Sequence, residues 1–283
     1  MTPQELALLI ETLILDADAR YAKTLQRFQN VLYDELALIL KDLDLTNGYI
    51  QQTTANRRIL TEAYNAIDTA YTSPTYSLAV SNYVAIVPKI DAANIAYFTS
   101  LESGFAPKKV YLKSIQKELI TTVNQYVMQD GLQSQVIQPL NQILNQNINA
   151  GGSYSGFIDQ VRTYVRGSSE VESKAMQYTR TFVKDTLFTY SRTYQQAVSA
   201  DLGLTYYYYS GSLMDTSRPF CVERFDQYYS KKEIESWAGL EWKGKKQGTT
   251  ESSIFHFAGG WNCGHQIIPV SELIVPKEVK DRQ

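Results

Sequence analysis

The sequence predicts a mainly α fold, with a long-helix N-terminal region and a small α+β unit at the C-terminus. Three observations carry the prediction. Apolar residues recur every three or four positions along the first 43 residues. Helix-periodic segments then continue, with short interruptions, to about Ala200. After Gly203 the texture becomes β-prone, aromatic and rich in loops. The expected division is 1–167 for the helical region and 168–283 for the second region, which starts with a long helix and turns into the α+β unit at about 203.

Thr2-Pro3-Gln4-Glu5 is a capping box with proline at the first helical position. Leu6, Ile10, Leu13, Ala17, Tyr21, Leu25, Phe28, Leu32, Leu36, Ile39 and Leu43 then form one stripe, and Asn47-Gly48 reads as the helix stop. A second helix is expected from about Thr53 to Tyr71, ended by Thr72-Ser73-Pro74. An apolar segment runs from Tyr76 to Val87 and is closed by Pro88, and a short helix covers Asp91 to Leu101. Ser103 to Pro107 reads as a loop. Val110 to Met128 is helix-periodic, and Asp130-Gly131 breaks it. Val136 to Ile148 and Tyr154 to Val165 follow as further helices, with Gly167-Ser168-Ser169 as a hinge. Glu170 to about Ala200 is a strong helix carrying Arg180, Lys184 and Arg192, whose commonest fate is solvated charge and whose alternative is contact with DNA or a partner surface.

Beyond Gly203, Leu204 to Ser210 reads as a strand and Asp215 to Pro219 as a turn. Ser230-Lys231-Lys232-Glu233 is a second capping box, opening a helix through Trp237. Gly244 to Ser253 is a polar loop, Ile254 to Phe257 a short β-like piece, and Gln266 to Val270 a last strand.

Composition narrows the function classes. The 283 residues are 44% hydrophobic and 20% charged, which excludes a disordered or collagen-like chain. Lys+Arg 27 against Asp+Glu 29 gives a net charge of -2, which excludes a whole-chain basic footprint for nucleic acid. The start has no basic n-region, and its apolar run is cut by Glu11. No stretch approaches a spanning helix, so a protein free of membrane and made in a reducing cytoplasm is expected. Tyrosine is unusually common, 21 against 10 phenylalanines. A ring with a wet hydroxyl suits a surface half covered by a partner, or a helix face at the edge of a core.

Both cysteines and both histidines lie within residues 221–265, as Cys221, His256, Cys263 and His265. Thiolate and imidazole are natural zinc ligands, and a small loop-rich segment profits from a metal staple, so these four form a candidate structural zinc site; no other cofactor is expected. Simple packing of the cysteines comes first among the alternatives, followed by a Cys221–Cys263 disulfide formed outside the cytoplasm and a Cys–His nucleophile pair. No phosphate-binding glycine loop, HExxH helix or GxSxG elbow occurs.

The same residues carry a resemblance. Asp215-Thr216-Ser217-Arg218-Pro219-Phe220-Cys221-Val222-Glu223-Arg224, then Tyr229 to Trp237, then Gly259-Gly260-Trp261-Asn262-Cys263-Gly264-His265-Gln266 with Pro269-Val270-Ser271, resemble in order the motifs of the Mu F-like minor head (head morphogenesis) proteins of tailed bacteriophages. The likeness covers about the last 100 residues, and Gly264 stands where relatives commonly have Arg. It implies a non-enzymatic virion protein, assembled in the host cytoplasm, lying inside the capsid near the portal in a few copies, and contacting portal and other capsid proteins. It also implies that Trp237 and Trp261 fill a small core, that Cys221 and Cys263 lie close together, and that Arg218 and Arg224 pair with acids such as Asp215 or Glu223 or touch a partner. One alternative is an internal protein that contacts packaged DNA or is ejected with it, through Lys231, Lys232, Lys243, Lys245 and Lys246. A more distant one is a Cys–His or zinc hydrolase.

Overall fold

A computed structural model describes residues 1–102, 105 and 109–282, and the chain is mainly α, 69% helical, with a small C-terminal sheet. The helices are α1 (Pro3–Leu40), α2 (Thr54–Tyr71), α3 (Pro74–Val84), α4 (Val87–Leu101), α5 (Lys109–Val123), the one-turn α6 (Asp130–Leu132), α7 (Gln138–Ala150), α8 (Tyr154–Arg166) and α9 (Lys174–Leu202). Strands β1 (Leu45–Thr46) and β2 (Tyr49–Ile50) form a minimal hairpin after α1. The C-terminal part contains β3 (Tyr206–Ser210), α10 (Pro219–Arg224), β4 (Gln227–Ser230), α11 (Lys231–Ser236), α12 (Ile254–Phe257), β5 (Gln266–Val270) and α13 (Lys277–Lys280). Among the described residues no helix is long and apolar enough to cross a membrane.

Several boundaries differ from the sequence reading. Asn47-Gly48 does not stop α1, which ends at Leu40. Both residues have positive φ, 51° and 81°, and form the two-residue turn between β1 and β2, a conformation that Asn-Gly favours. Pro88 opens α4 instead of closing the segment before it, because its missing N–H costs nothing in a first helical turn. The region around Asp130-Gly131 is a wider-wound passage, with π-helical turns at Asn124–Met128 and Gln133–Ile137 on either side of α6. Ile254–Phe257 is a helical turn and not β-like. The loop expected at Ser103 to Pro107 lies outside the described residues except for Phe105.

Two compact units are distinguished, each assembled from separated stretches of chain. The first comprises Asp18–Val84 and Thr122–Val183. Its core holds Leu25, Leu32, Leu36, Ile67, Leu140, Leu144, Phe157 and Val161, with Phe28, Tyr71 and Tyr76 in a triangle of ring centroids 5.2 Å apart. Buried Asp18 is held by Arg180 at 2.6 and 3.0 Å and accepts the Tyr83 hydroxyl at 3.0 Å, so the buried charge is paired. A π-helical turn leaves backbone groups outside the regular ladder. Here tyrosines meet them: Tyr178, Tyr76 and Tyr164 donate to the carbonyls of Tyr126, Val127 and Val136 at 2.8–2.9 Å. Tyrosine is thus largely an interior residue, with twelve of the 21 buried among the described residues, because such acceptors satisfy the hydroxyl away from water.

The second unit comprises Met1–Ala17, Ala85–Thr121 and Lys184–Gln283. The expected capping box at Thr2 is formed, with Glu5 N–H donating to Thr2 Oγ1 at 3.1 Å and Thr2 N–H to Glu5 Oε2 at 2.7 Å. The sheet is antiparallel, ordered β4-β3-β5, and Pro269 lies in the edge strand β5, where a missing N–H is tolerated. All five residues of β3 are buried. Alternation sends Tyr207 and Tyr209 into one cluster with Phe220, Cys221, Trp237, Phe255 and Cys263, and Tyr206 and Tyr208 into another with Val270, Val275 and Val279.

Candidate functional site

The three motif segments converge on the first of these clusters. Arg218 is the extended residue before α10, and Pro219 occupies its first turn, which turns Phe220 and Cys221 inward. Tyr229 lies on β4, and Ser230 opens α11 through a complete capping box with Glu233 at 2.7 and 3.2 Å, as expected. Trp237 then stands edge-on to Tyr209, Phe220 and Tyr229, with centroids at 6.0, 5.7 and 4.8 Å. The third segment enters through a turn in which Gly260 has φ 94° and no room for a Cβ beside the Gly244 carbonyl, so only glycine fits. Asn262, also at positive φ, is exposed, and its N–H donates to Asp185 at 3.1 Å.

The convergence places Cys221, Cys263 and His265 together. All three are buried, and their ligand atoms lie within 4.8 Å of one another. Both cysteines are free thiols. His265 Nδ1 is 3.6 Å from Cys263 Sγ, and its ring stacks on Tyr209 with centroids 5.3 Å apart; its Nε2 is buried without a partner. The Tyr209 hydroxyl is 3.9 Å from Cys263 Sγ, and the Gly259 N–H donates to that sulfur at 3.3 Å. The hydrogen bond from Cys221 holds the Cys263 thiol well below its ordinary pKa, helped by His265 and the positive charge of Arg192 and opposed by burial. The same shared proton, with burial, pushes Cys221 up.

His256 is not part of this group, which corrects the four-ligand expectation. It lies on α12 instead of a strand, so alternation does not aim it at Cys263. Burial and the charge of Arg192 lower its pKa. Trp261 is also corrected: it is 49% exposed, with Lys246 Nζ 4.7 Å from its ring, because its turn is held by the backbone. Trp261 N–H donates to Gly244 O at 2.9 Å, and its carbonyl accepts from Arg218, which therefore does not pair with exposed Asp215. Trp242 takes the inner place, stacked on Phe220 at 4.0 Å and donating to Gly259 O. Arg224 meets Glu223 at 3.3 Å as expected, and lies over Phe220 and Trp237 as well.

The basic residues are mostly committed internally. Lys245 donates to the carbonyls of Ala238 and Leu240 at 2.8 and 2.7 Å, Lys246 pairs with buried Asp185, and Lys231 is 3.8 Å from Glu235. Exposed Lys232 and Lys243 stand apart from this pattern. Arg192 is not solvated: it is 1% exposed and donates to the carbonyls of Phe188 and Cys263 at 3.0 Å. Sequence reasoning missed Tyr209, Gly259 and Arg192 as members of the site. Their signal is the adjacency of β3 and the rear of α9 to the motifs, which spacing along the chain does not reveal. No protein-family model matches the chain, and no curated protein or solved structure matches it.

Proposed function

We propose that the chain is a structural minor head protein of a tailed phage, lying inside the capsid in a few copies, bound to the portal and other capsid proteins, and assisting head assembly or genome delivery. The observation that carries this reading is the convergence of three separated segments, 215–224, 229–237 and 259–271, on one buried cluster, in the order in which they resemble the minor head motifs.

The chemistry of the cluster supports a clasp over a reaction centre. The two thiols and the imidazole are each at most 5% exposed, and His265 Nε2 has no acid to orient it, whereas a nucleophile pair needs both access and an oriented base. The internal commitment of Lys245 and Lys246 favours contact with protein over contact with DNA phosphates. The test is co-expression with portal and capsid subunits, followed by purification of assembled heads. Recovery of the chain in portal-containing heads at a fixed low stoichiometry is expected; heads that assemble without incorporating it would overturn the reading.

A further inference from the structure

We propose that Cys221, Cys263, His265 and Tyr209 form a tetrahedral site for one divalent cation of the zinc class, so that the clasp is closed by a metal. The inference is independent of the role in the phage head.

The donor geometry is close to that of a bound ion. Bonds of about 2.3 Å to sulfur and about 2.0 Å to nitrogen place a sulfur and a nitrogen about 3.5 Å apart on a tetrahedral zinc. Cys263 Sγ and His265 Nδ1 are 3.6 Å apart, and Cys221 Sγ falls within 4.8 Å of both. The Tyr209 oxygen, 3.9 Å from Cys263 Sγ, stands where a fourth ligand belongs. The donors come from β3, α10 and the turn into β5, so the ion would tie together three short elements that bury little surface on their own.

Two features of the surroundings point to the same occupant. The Gly259 N–H donates to Cys263 Sγ, a bond that favours a ligating thiolate, and a Cβ at Gly259 would overlap both sulfurs, so the glycine keeps the space around them clear. Arg192 is a buried cation whose bonds go to the carbonyls of Phe188 and Cys263, and its Nη1 has no partner. A buried guanidinium requires negative charge nearby. Two thiolates neutralise a dication, and an ionised Tyr209 on the same ion leaves the cluster with one negative charge, which Arg192 balances.

The experiment uses the purified full chain, reduced and stripped of metal, titrated with Co²⁺ and then with Zn²⁺. One Co²⁺ per chain is expected, with a thiolate-to-cobalt charge-transfer band and the intense visible bands of tetrahedral coordination, displaced by one Zn²⁺. Cys263→Ser and His265→Asn should weaken binding by more than about 100-fold, beyond the 10–100-fold typical of losing a second-shell partner. Tyr209→Phe should alter the visible bands and weaken binding, while His256→Asn should leave it unchanged. If a ligand variant fails to fold, the wild-type spectra still decide. No thiolate band, equal binding by folded Cys263→Ser, a requirement for His256, or ready closure to a Cys221–Cys263 disulfide with no metal uptake would each overturn the proposal. An unchanged spectrum in Tyr209→Phe would remove Tyr209 from the site.

Discussion

The helical stretches 18–84 and 122–183 and the C-terminal residues 203–282 satisfy their irregular backbone in opposite ways. In the first, carbonyls in and around the π-helical turns accept from neutral phenols, those of Tyr76, Tyr164 and Tyr178. In the second, the carbonyls of short loops accept mostly from cations: Arg218 on Trp261, Arg224 on Phe220, and Lys245 on Ala238 and Leu240. The difference follows from access to water. A phenol can be buried whole at small cost once its hydroxyl is bonded, whereas a long cationic side chain lays its stem along a half-open loop and brings a stronger, charge-assisted bond. The contrast also explains why a locally basic loop offers little free charge.

The comparison can be broken or sharpened by measuring unfolding in urea. The largest effect is expected at the centre of the clasp, where Trp237→Ala should cost about 3–5 kcal/mol through the cavity it leaves. Lys245→Met, which keeps the stem and removes the charge, should cost about 2 kcal/mol, within the range for bonds to charged groups. Tyr76→Phe should cost less, about 1–1.5 kcal/mol, as a neutral bond lost over a buried carbonyl. If the tyrosine change proves the costlier of these two, the distinction between phenols and cations fails. Trp261→Ala should cost under about 1 kcal/mol, because it removes a half-exposed ring and a contact with Lys246 while the turn's backbone bonds remain.

The smallest effect concerns pH. Burial and the Arg192 charge depress the pKa of His256, so the folded state prefers the neutral ring. Its contribution is therefore complete above the unfolded value of about 6.5 and is lost as pH falls through the lower folded value. His256→Gln should flatten the decline in stability below about pH 6.5. An identical slope in the variant would mean that the ring is solvated in the native state.

Local signals carried much of the fold. Thr2 with Glu5 and Ser230 with Glu233 form the capping boxes that their spacing predicts, and the tyrosine run is a strand. Features that depend on distant partners were not legible. Asn47-Gly48 suits a helix stop and a hairpin turn equally well, and the second is realised where Ile50 N–H meets Gly152 O at 3.0 Å. The widened turns near Asp130 depend on phenols supplied from elsewhere in the chain. At the site, Cys221 with Cys263 could be paired from the motifs, but the identity of the histidine that joins them depends on α12 being a helix. The burial of Arg192 depends on which carbonyls face α9.

The four consecutive tyrosines of β3 have a further consequence. Sliding the strand by one residue exchanges its two faces, and along most of its length it would put a phenol where a phenol had been. Such a strand cannot encode its own alignment and must receive it from its neighbours. The candidates for the guide are the edge pairing of Ser210 with Gln266, the Asp226 N–H on Tyr209 O and the Lys231 N–H on Thr205 O. Misalignment would be nearly silent in hydrophobicity and costly only in the hydroxyl bonds, so a chain loosened at these guides would trade one unique architecture for a pair of nearly degenerate ones.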